Sequence, residues 1–222
     1  CSSDLRLHPA ARFLILHDLK PLLADGALYW ARRSETPEGR IVFLGLEADG
    51  APRFAADCTP YEDSGAQATD ARAAAAQLPA RESAIVAQAR SMLDWHRRHG
   101  FCANCGAPTS MARAGYARQC DACATEHFPR VDPVVIMLAE HAGRVLVGRG
   151  VNFPGNFFSA LAGFVEPGES LEEAVARELH EEAGIRVRNV RMIASQPWPF
   201  PSSLMIGAHA EALSDELTLD PT

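Results

Sequence analysis

Two pairs of cysteines limit what this 222-residue chain can fold into more than any other feature. Cys102 and Cys105 form one C-x2-C pair, and Cys120 and Cys123 form the other. On a tight turn both thiolates of such a pair can reach one ion, and two pairs complete a tetrahedron around zinc. Four thiolates leave no open coordination position, so the predicted zinc is structural rather than catalytic. The remaining alternatives are coincidental cysteines and a redox-active pair.

Residues 100–128, which contain these pairs, have too little apolar periodicity to build a core. The segment therefore needs the bound metal to stabilise its fold. Gly106 suits the backbone bend after the first pair. His127 lies close to the second pair, but four cysteines are present, so we expect a surface residue rather than a ligand. Cys58 stands alone and is expected to be a small, half-buried side chain.

The rest of the chain divides by its apolar pattern. Residues 1–68 contain short apolar or alternating runs between turn residues, which predicts strands. Residues 69–99 are Ala-rich with helical spacing, and Pro79 separates two helices. Beyond residue 128 we predict a helix at 170–183 and strands at 134–139, 144–148, 187–194 and 204–212. The predicted α+β chain therefore has a β-rich N-terminal domain with linking helices (1–99), a zinc ribbon (100–128) and a C-terminal domain (129–222).

Charge and composition exclude several classes of protein. The net charge of -7 gives no general attraction to polyphosphates, so nucleotide or nucleic-acid binding requires a local site. Hydrophobic residues make up 47% and charged residues 22%, as in ordinary globular proteins, and no apolar run approaches the roughly 20 residues that span a bilayer. With paired cysteines typical of a reducing compartment, we predict a cytoplasmic protein without membrane contact. The start at Cys1 indicates a fragment or a processed product, with a mature lipoprotein as the alternative.

Residues 163–185 read GFVEPGESLEEAVARELHEEAGI and predict a capped helix. Ser170 and Glu173 have the spacing of a capping box, which begins a helix. Gly184 has the place of the glycine that ends one. The buried stripe is predicted to consist of Leu171, Val175 and Leu179.

Three carboxylates project from one side of this helix near its C-terminal end. Glu178, Glu181 and Glu182 stand at positions i, i+3 and i+4, so they repel one another and face the negative end of the helix dipole. This arrangement is unfavourable unless a cation lies among them, and oxygen ligands suit Mg²⁺ or Mn²⁺. The alternative is an acidic face in solvent.

The same segment resembles the Nudix signature G-x5-E-x7-R-E-U-x-E-E-x-G-U. Every defined position matches, at Gly163, Glu169, Arg177, Glu178, Leu179, Glu181, Glu182, Gly184 and Ile185. The resemblance implies a Nudix hydrolase with an α/β/α sandwich domain and Mg²⁺ or Mn²⁺ as catalytic cofactor, in addition to the structural Zn²⁺ of the ribbon.

Roles for individual residues follow from this resemblance. Glu178 and Glu182 would be the main metal ligands and catalytic residues, and Glu181 a further ligand or a residue that orients water. The carbonyl of Ala162 would also bind the metal. Glu169 and Arg177 would pair across the loop as a structural brace.

Residues 195–203 read SQPWPFPSS and form a candidate binding segment. The three prolines stiffen the backbone before any ligand binds. Trp198 and Phe200 offer flat faces on which a nicotinamide or adenine ring can stack. The alternative is a rigid surface loop with two packed aromatic rings.

This segment, the zinc ribbon and the stretch Trp95–His99 before Phe101 resemble the NADH pyrophosphatases over residues 80–222. The resemblance implies a homodimer that hydrolyses NAD(H) to nicotinamide mononucleotide and AMP, and related enzymes also remove NAD caps from RNA. It places substrate contacts at Phe128, Gln196, Pro197, Trp198, Pro199, Phe200, Pro201, Ser202 and Ser203.

One departure from the family pattern lies at the end of the chain. The family usually supplies another metal-binding Glu in a D-P-x-E context, whereas this sequence ends at Asp220-Pro221-Thr222. The later strand and C-terminal helix also have no counterpart, which predicts a C-terminal truncation. Arg97 and Arg98 could touch an RNA phosphate, but we expect a solvated helix end.

Two alternative functions remain open. The chain could be a Nudix pyrophosphatase for another nucleoside diphosphate derivative, such as ADP-ribose or a dinucleoside polyphosphate. It could also be a zinc-ribbon nucleic-acid-binding protein whose Nudix domain is inactive. The intact glutamates argue against the inactive domain, and the acidic charge argues against broad nucleic-acid affinity.

Overall fold

The computed structural model describes residues 2–58, 65–150 and 154–218, so the expectations for Cys1 and for Asp220–Thr222 lie outside the described residues. The chain forms two compact units. The first contains the residues up to Arg130 together with Pro199–Pro201, and the second contains Val131–Trp198 and the residues from Ser202 onwards. This division does not test the limits of the three domains expected from the sequence, which stay predictions. No helix in the described ranges combines the length and apolarity needed to cross a membrane.

The first unit is built on a seven-stranded sheet with strand order β3-β2-β1-β6-β5, in which β4 also pairs with β1 and β7 with β2. The pair β1–β6 is parallel and the other pairs are antiparallel. The strands are β1 (Arg12–His17), β2 (Lys20–Ala24), β3 (Ala27–Leu28), β4 (Trp30–Ala31), β5 (Arg40–Leu46), β6 (Pro52–Asp57) and β7 (Gln67–Ala68).

Both faces of this sheet are buried, which explains the continuous apolar run of β1. Successive side chains of a strand point to opposite faces. Leu14 and Leu16 therefore join one core cluster, whereas Phe13 and Ile15 join another. The helices of this unit are α1 (Ser2–Leu5), α2 (Ala71–Gln77) and α3 (Ala80–Arg98). Residues of α2 and α3 join the first cluster. Pro79 separates α2 from α3 as expected.

The cysteine segment adds a three-stranded antiparallel sheet of β8 (Thr109–Ala112), β9 (Ala117–Cys120) and β10 (Glu126–His127). The end of α3 before it is only partly the solvated helix end that we expected, because Arg98 is exposed whereas Arg97 is half-buried. Arg97 pairs with the buried Asp57 at 2.6 Å and with Asp18 at 2.8 Å. Arg98 pairs with Asp94 one turn earlier, so both arginines have carboxylate partners within the unit.

The second unit is a five-stranded sheet with strand order β12-β11-β15-β14, in which β13 pairs with β11. The pair β11–β15 is parallel, and the others are antiparallel. Its elements are β11 (Asp132–His141), β12 (Arg144–Val145), β13 (Leu161–Phe164), α4 (Leu171–Ala183), β14 (Val187–Trp198) and β15 (Ser203–Ala212). One face of this sheet packs against α4. The architecture confirms the α+β class.

The edge strand β14 is longer than the sequence indicated. We predicted a strand at 187–194 and a loop from Ser195, but Ser195–Trp198 continues the pairing with β15 as far as the Trp198–Ser203 pair. Pro197 does not end the strand, because an edge strand can leave one position without an N–H donor. Thus Gln196, Pro197 and Trp198 are held by a sheet.

Candidate functional site

The four predicted zinc ligands meet in one cluster. Their sulfurs all lie within 4.8 Å of one another, with 3.7 Å between Cys102 and Cys123 and 3.5 Å between Cys105 and Cys120. Zinc–thiolate bonds near 2.3 Å in a tetrahedron require sulfur–sulfur distances of about 3.8 Å. The arrangement therefore fits a structural zinc ion held by four cysteines.

Hydrogen-bond donors lie close to the sulfurs of Cys120 and Cys123. The backbone N–H groups of Ala122 and Cys123 point at the sulfur of Cys120, each at 3.4 Å. Hydrogen bonds from Thr125 lower the pKa of Cys123 to about 5. His127 is more than a surface residue, because its Nε2 lies 3.2 Å from the sulfur of Cys102. No local pattern indicates that contact, which depends on the pairing of β10 with β9.

The helix α4 has the caps that its sequence predicts. The N–H of Glu173 donates to the Ser170 hydroxyl at 3.2 Å, and the N–H of Ser170 donates to the Glu173 carboxylate at 2.7 Å. Gly184 follows the helix with a φ of 68°, the left-handed region that favours glycine. Val175 and Leu179 are fully buried, so the opposite side of α4 is left for polar side chains.

Arg177 and Glu169 pair as predicted. Two nitrogens of Arg177 donate to the two Glu169 oxygens at 2.6 and 2.9 Å, and this bond lowers the pKa of Glu169 to about 2. Arg177 also donates to the carbonyl of Phe164 at 2.9 Å, and the Glu166 N–H donates to the Glu169 carboxylate at 3.0 Å. The pair therefore ties the loop before α4 to strand β13.

The same guanidinium contacts two of the three candidate metal ligands, which sequence reasoning missed. Nη1 of Arg177 lies 2.8 Å from Glu178 and 3.0 Å from Glu181. The i,i+4 spacing of Arg177 and Glu181 was a signal for one of these contacts. Burial and the charges of Glu178 and Glu181 raise the pKa of Glu182.

Glu178 lies against the backbone of β13. A Cβ atom placed on Gly163 would be 1.8 Å from the Glu178 carboxyl carbon, so only glycine leaves room for this carboxylate. Ala162, whose carbonyl was the further predicted ligand, precedes Gly163 in the same strand. The oxygens of the three glutamates do not all come within 4.8 Å of one another, since in the described ranges the cysteines alone form so tight a group.

The predicted substrate contacts are divided between the two units. Gln196, Pro197 and Trp198 lie in β14, and Ser202 and Ser203 follow in the second unit, whereas Pro199–Pro201 and Phe128 belong to the first. The side chains of Trp198 and Phe128 are 40% and 55% exposed. The guanidinium of Arg113 lies 5.4 Å from the Phe128 ring centre and pairs with Glu126 at 2.7 Å.

Comparison with known families accounts for nearly the whole chain. A "NADH pyrophosphatase-like rudimentary NUDIX domain" matches residues 10–95, and a "NADH pyrophosphatase zinc ribbon domain" matches residues 97–128. A "NUDIX domain" matches residues 129–220.

Curated relatives are similar to this chain over most of its length and are themselves longer. The human protein named NAD-capped RNA hydrolase NUDT12 is 36% identical over an alignment 270 residues long. The alignment covers 96% of this chain and 58% of that protein. The Mycobacterium bovis protein named NAD-capped RNA hydrolase NudC is 44% identical over 188 residues, covering 82% of this chain and 60% of that protein. The chain thus spans less than two thirds of either relative.

A solved NUDIX hydrolase from Nitrosomonas europaea is 26% identical with a TM-score of 0.48, covering 55% of this chain and 72% of that one. The three consecutive family matches agree with the capped and braced helix α4 and with the four-cysteine cluster. The chain therefore belongs to the Nudix family, in the group that carries the NADH pyrophosphatase zinc ribbon.

Proposed function

We propose that this chain hydrolyses the pyrophosphate bond of NAD(H), giving nicotinamide mononucleotide and AMP, and that it also removes NAD caps from RNA. The observation that carries the proposal is the braced helix α4, on which Arg177 links Glu169 to Glu178 and Glu181. Relatives that are 36% and 44% identical are named as NAD-capped RNA hydrolases, which supports NAD as the substrate class.

The residues of the α4 site fit a divalent cation such as Mg²⁺ or Mn²⁺. Glu178 and Glu182 would be its main ligands, with Glu181 and the carbonyl of Ala162 as further ligands. Hard oxygen donors suit these ions. Burial and the charges of Glu178 and Glu181 raise the pKa of Glu182, so a nearby cation would favour its charged form. When bound, such an ion supplies charge neutralisation for the pyrophosphate and lowers the pKa of water.

The side chains of the site have separate tasks in this proposal. Arg177 orients Glu178, whose carboxylate is 13% exposed and packed against Gly163, so this ligand is held in place before substrate binds. Glu181 is 57% exposed and can therefore orient water at the edge of the site. The ion pair with Arg177 limits the orientations that the Glu181 side chain can adopt.

Aromatic side chains would bind the rings of the substrate by stacking. Trp198 and Phe128 offer exposed ring faces, and stacking on them is worth about 1–3 kcal/mol per base. Gln196 and Ser202–Ser203 would add polar contacts beside Trp198, because β14 and β15 place Trp198 opposite Ser203. We also propose that the protein acts as a homodimer in the cytoplasm, as the sequence predicted.

A turnover screen tests this proposal. The chain with Mg²⁺ or Mn²⁺ is given NADH, NAD⁺, NAD-capped RNA and ADP-ribose, and products are separated by chromatography. We expect AMP and nicotinamide mononucleotide from NADH, and 5′-monophosphate RNA from capped RNA. Preference for ADP-ribose would support the alternative of another nucleotide substrate. Binding of RNA without any turnover would support the inactive Nudix domain and overturn the proposal.

A further inference from the structure

The segment Pro199–Pro201 packs within the first unit, although it lies in sequence between β14 and β15. Pro199 is buried. Phe200 is half-buried and packs against the core cluster that includes Leu14 and Leu93. The backbone at this point is therefore fixed by packing and is not an open loop.

Two side chains of α3 donate hydrogen bonds to the segment. The guanidinium of Arg90 donates to the carbonyl of Pro199, and the hydroxyl of Ser91 donates to the carbonyl of Pro201 at 3.2 Å. Neither proline has an N–H, so the segment has few donors of its own. The donors that satisfy these carbonyls come from the helix.

The ring of Phe200 lies against two guanidinium groups. The Cζ atoms of Arg72 and Arg90 are 4.5 and 4.7 Å from the ring centre, within the roughly 6 Å over which a cation and an aromatic face attract. Arg72 lies in the first turn of α2, whose N-terminus is capped by Asp70, and Arg90 lies in the middle of α3. Both cations therefore come from ordered helices.

The guanidinium of Arg90 is partly buried and has charges of both signs around it. Burial lowers the pKa of its guanidinium, and the charges of Arg72 and Arg98 act in the same direction, whereas Asp94 and Asp70 oppose them. The electron-rich face of Phe200 and the Pro199 carbonyl add further stabilisation of the cation. Neither Arg72 nor Arg90 is among the residues that the proposed reaction uses.

We propose that Arg72 and Arg90 are positioning residues that hold Phe200 as an anchor for the dinucleotide-binding segment. Trp198, which lies two residues before Phe200 and is 40% exposed, then stacks on the nicotinamide ring. Phe200 holds the backbone that follows Trp198. The proposal rests on the proposed function, because it assigns roles within the expected substrate segment.

The first experiment observes the segment without using activity. The chain contains Trp30, Trp95 and Trp198, so labelling with 5-fluorotryptophan gives three fluorine resonances, and Trp198→Phe identifies the relevant one. In an Arg72→Gln/Arg90→Gln double variant we expect the Trp198 resonance to shift or broaden while the other two stay unchanged. The matched control is Arg81→Gln, an exposed α3 arginine that pairs with Glu47 and should leave all three resonances unchanged.

The second experiment measures kinetics. The double variant should raise the KM for NADH about tenfold with little change in kcat, since the lost contacts fix the segment and do not touch the pyrophosphate. The KM for ADP-ribose, which lacks the nicotinamide ring, should change less than about threefold. Phe200→Leu should give a similar effect, and adding it to the double variant should cause little further loss, because both remove one anchor.

Three outcomes separate the explanations. An unchanged Trp198 resonance together with an unchanged KM for NADH would overturn the positioning role. A rise in KM for NAD-capped RNA alone would also overturn it, because the guanidinium groups would then contact RNA phosphates. If even the unaltered chain fails to hydrolyse NADH, the proposed function is wrong, and the fluorine resonances still decide whether Arg72 and Arg90 anchor the segment.

Discussion

Gly163 marks the point where one missing side chain decides the geometry of the candidate site. A Cβ there would overlap the Glu178 carboxyl carbon at 1.8 Å, so Gly163→Ala must displace that carboxylate. We expect kcat/KM for NADH to fall about a hundredfold, the usual size of a misplacement near 1 Å. Gly207→Ala is the matched control in the same unit, because its Cβ would meet only the Ala194 carbonyl at an ordinary 3.5 Å. Equal activity of both variants would contradict the assigned position of Glu178.

Glu178 itself carries the second prediction at this scale. Glu178→Gln keeps the shape of the side chain but removes the charge of a proposed metal ligand. It should lower kcat by at least about a hundredfold at saturating Mg²⁺ or Mn²⁺. Glu172→Gln, an exposed substitution in the first turn of α4, should leave kcat unchanged. Turnover by Glu178→Gln close to that of the control would show that the cation is held elsewhere.

Among the elements, the ribbon depends most on its metal. Its three strands are short, so the folding free energy has to come largely from the zinc. The purified chain should contain about one zinc ion, and Cys120→Ser should lose it and lower the melting temperature. Cys58→Ala should keep its zinc, because Cys58 is buried in the first unit's sheet core, outside the ribbon. A zinc-loaded Cys120→Ser variant would contradict the four-thiolate site.

Some elements could be predicted from the sequence because their signals are local. The caps of α4 at Ser170 and Gly184 come from neighbouring residues, so spacing alone was enough to find them. The extension of β14 through Pro197 was missed, because a proline argues against a strand unless the strand is known to lie at an edge. The sequence indicated strands within residues 1–68 but not the bounds of β2 (Lys20–Ala24), whose short apolar run is explained only by pairing with β1.

Contacts between distant parts of the chain set the limit of sequence reasoning at the site. The motif predicted the Arg177–Glu169 pair, but the contact of Arg177 with Glu178 depends on how the carboxylate turns toward β13. The packing of Phe200 against Arg72 and Arg90 joins residues more than a hundred positions apart, and no spacing rule connects them. Such contacts follow from the packing of α2 and α3, which local patterns do not encode.

Across the whole molecule, the ribbon and the N-terminal sheet belong to one unit, and His96 near the end of α3 is a buried link between them. His96 is 1% exposed, and its Nε2 lies 2.7 Å from the Gly115 carbonyl. Its Nδ1 lies 3.2 Å from Arg118, which also donates to the Thr109 hydroxyl of β8 at 2.7 Å. Since Arg118 can only donate, the ring is neutral, with its proton on Nε2 facing Gly115.

This link makes the first unit sensitive to acid. Burial lowers the pKa of His96 to about 4, with the charges of Arg118, Arg40 and His99 acting in the same direction and the Gly115 hydrogen bond opposing them. The unfolded chain takes up this proton near pH 6.5 and the folded chain only near pH 4. Stability from the neutral ring is therefore complete above pH 6.5 and is lost as the pH falls toward 4.

Urea unfolding followed by tryptophan fluorescence at pH 7 and pH 5 measures this loss. We expect the free energy of unfolding of the first unit to be lower at pH 5 by up to about 2 kcal/mol, the linkage value for one such group. His96→Gln can still donate to the Gly115 carbonyl but does not titrate, so it should be less stable at pH 7 and show a smaller loss at pH 5. His8→Gln, an exposed substitution in the same unit, should behave like the unaltered chain. An equal loss in all three proteins would mean that other groups, and not His96, cause the acid sensitivity.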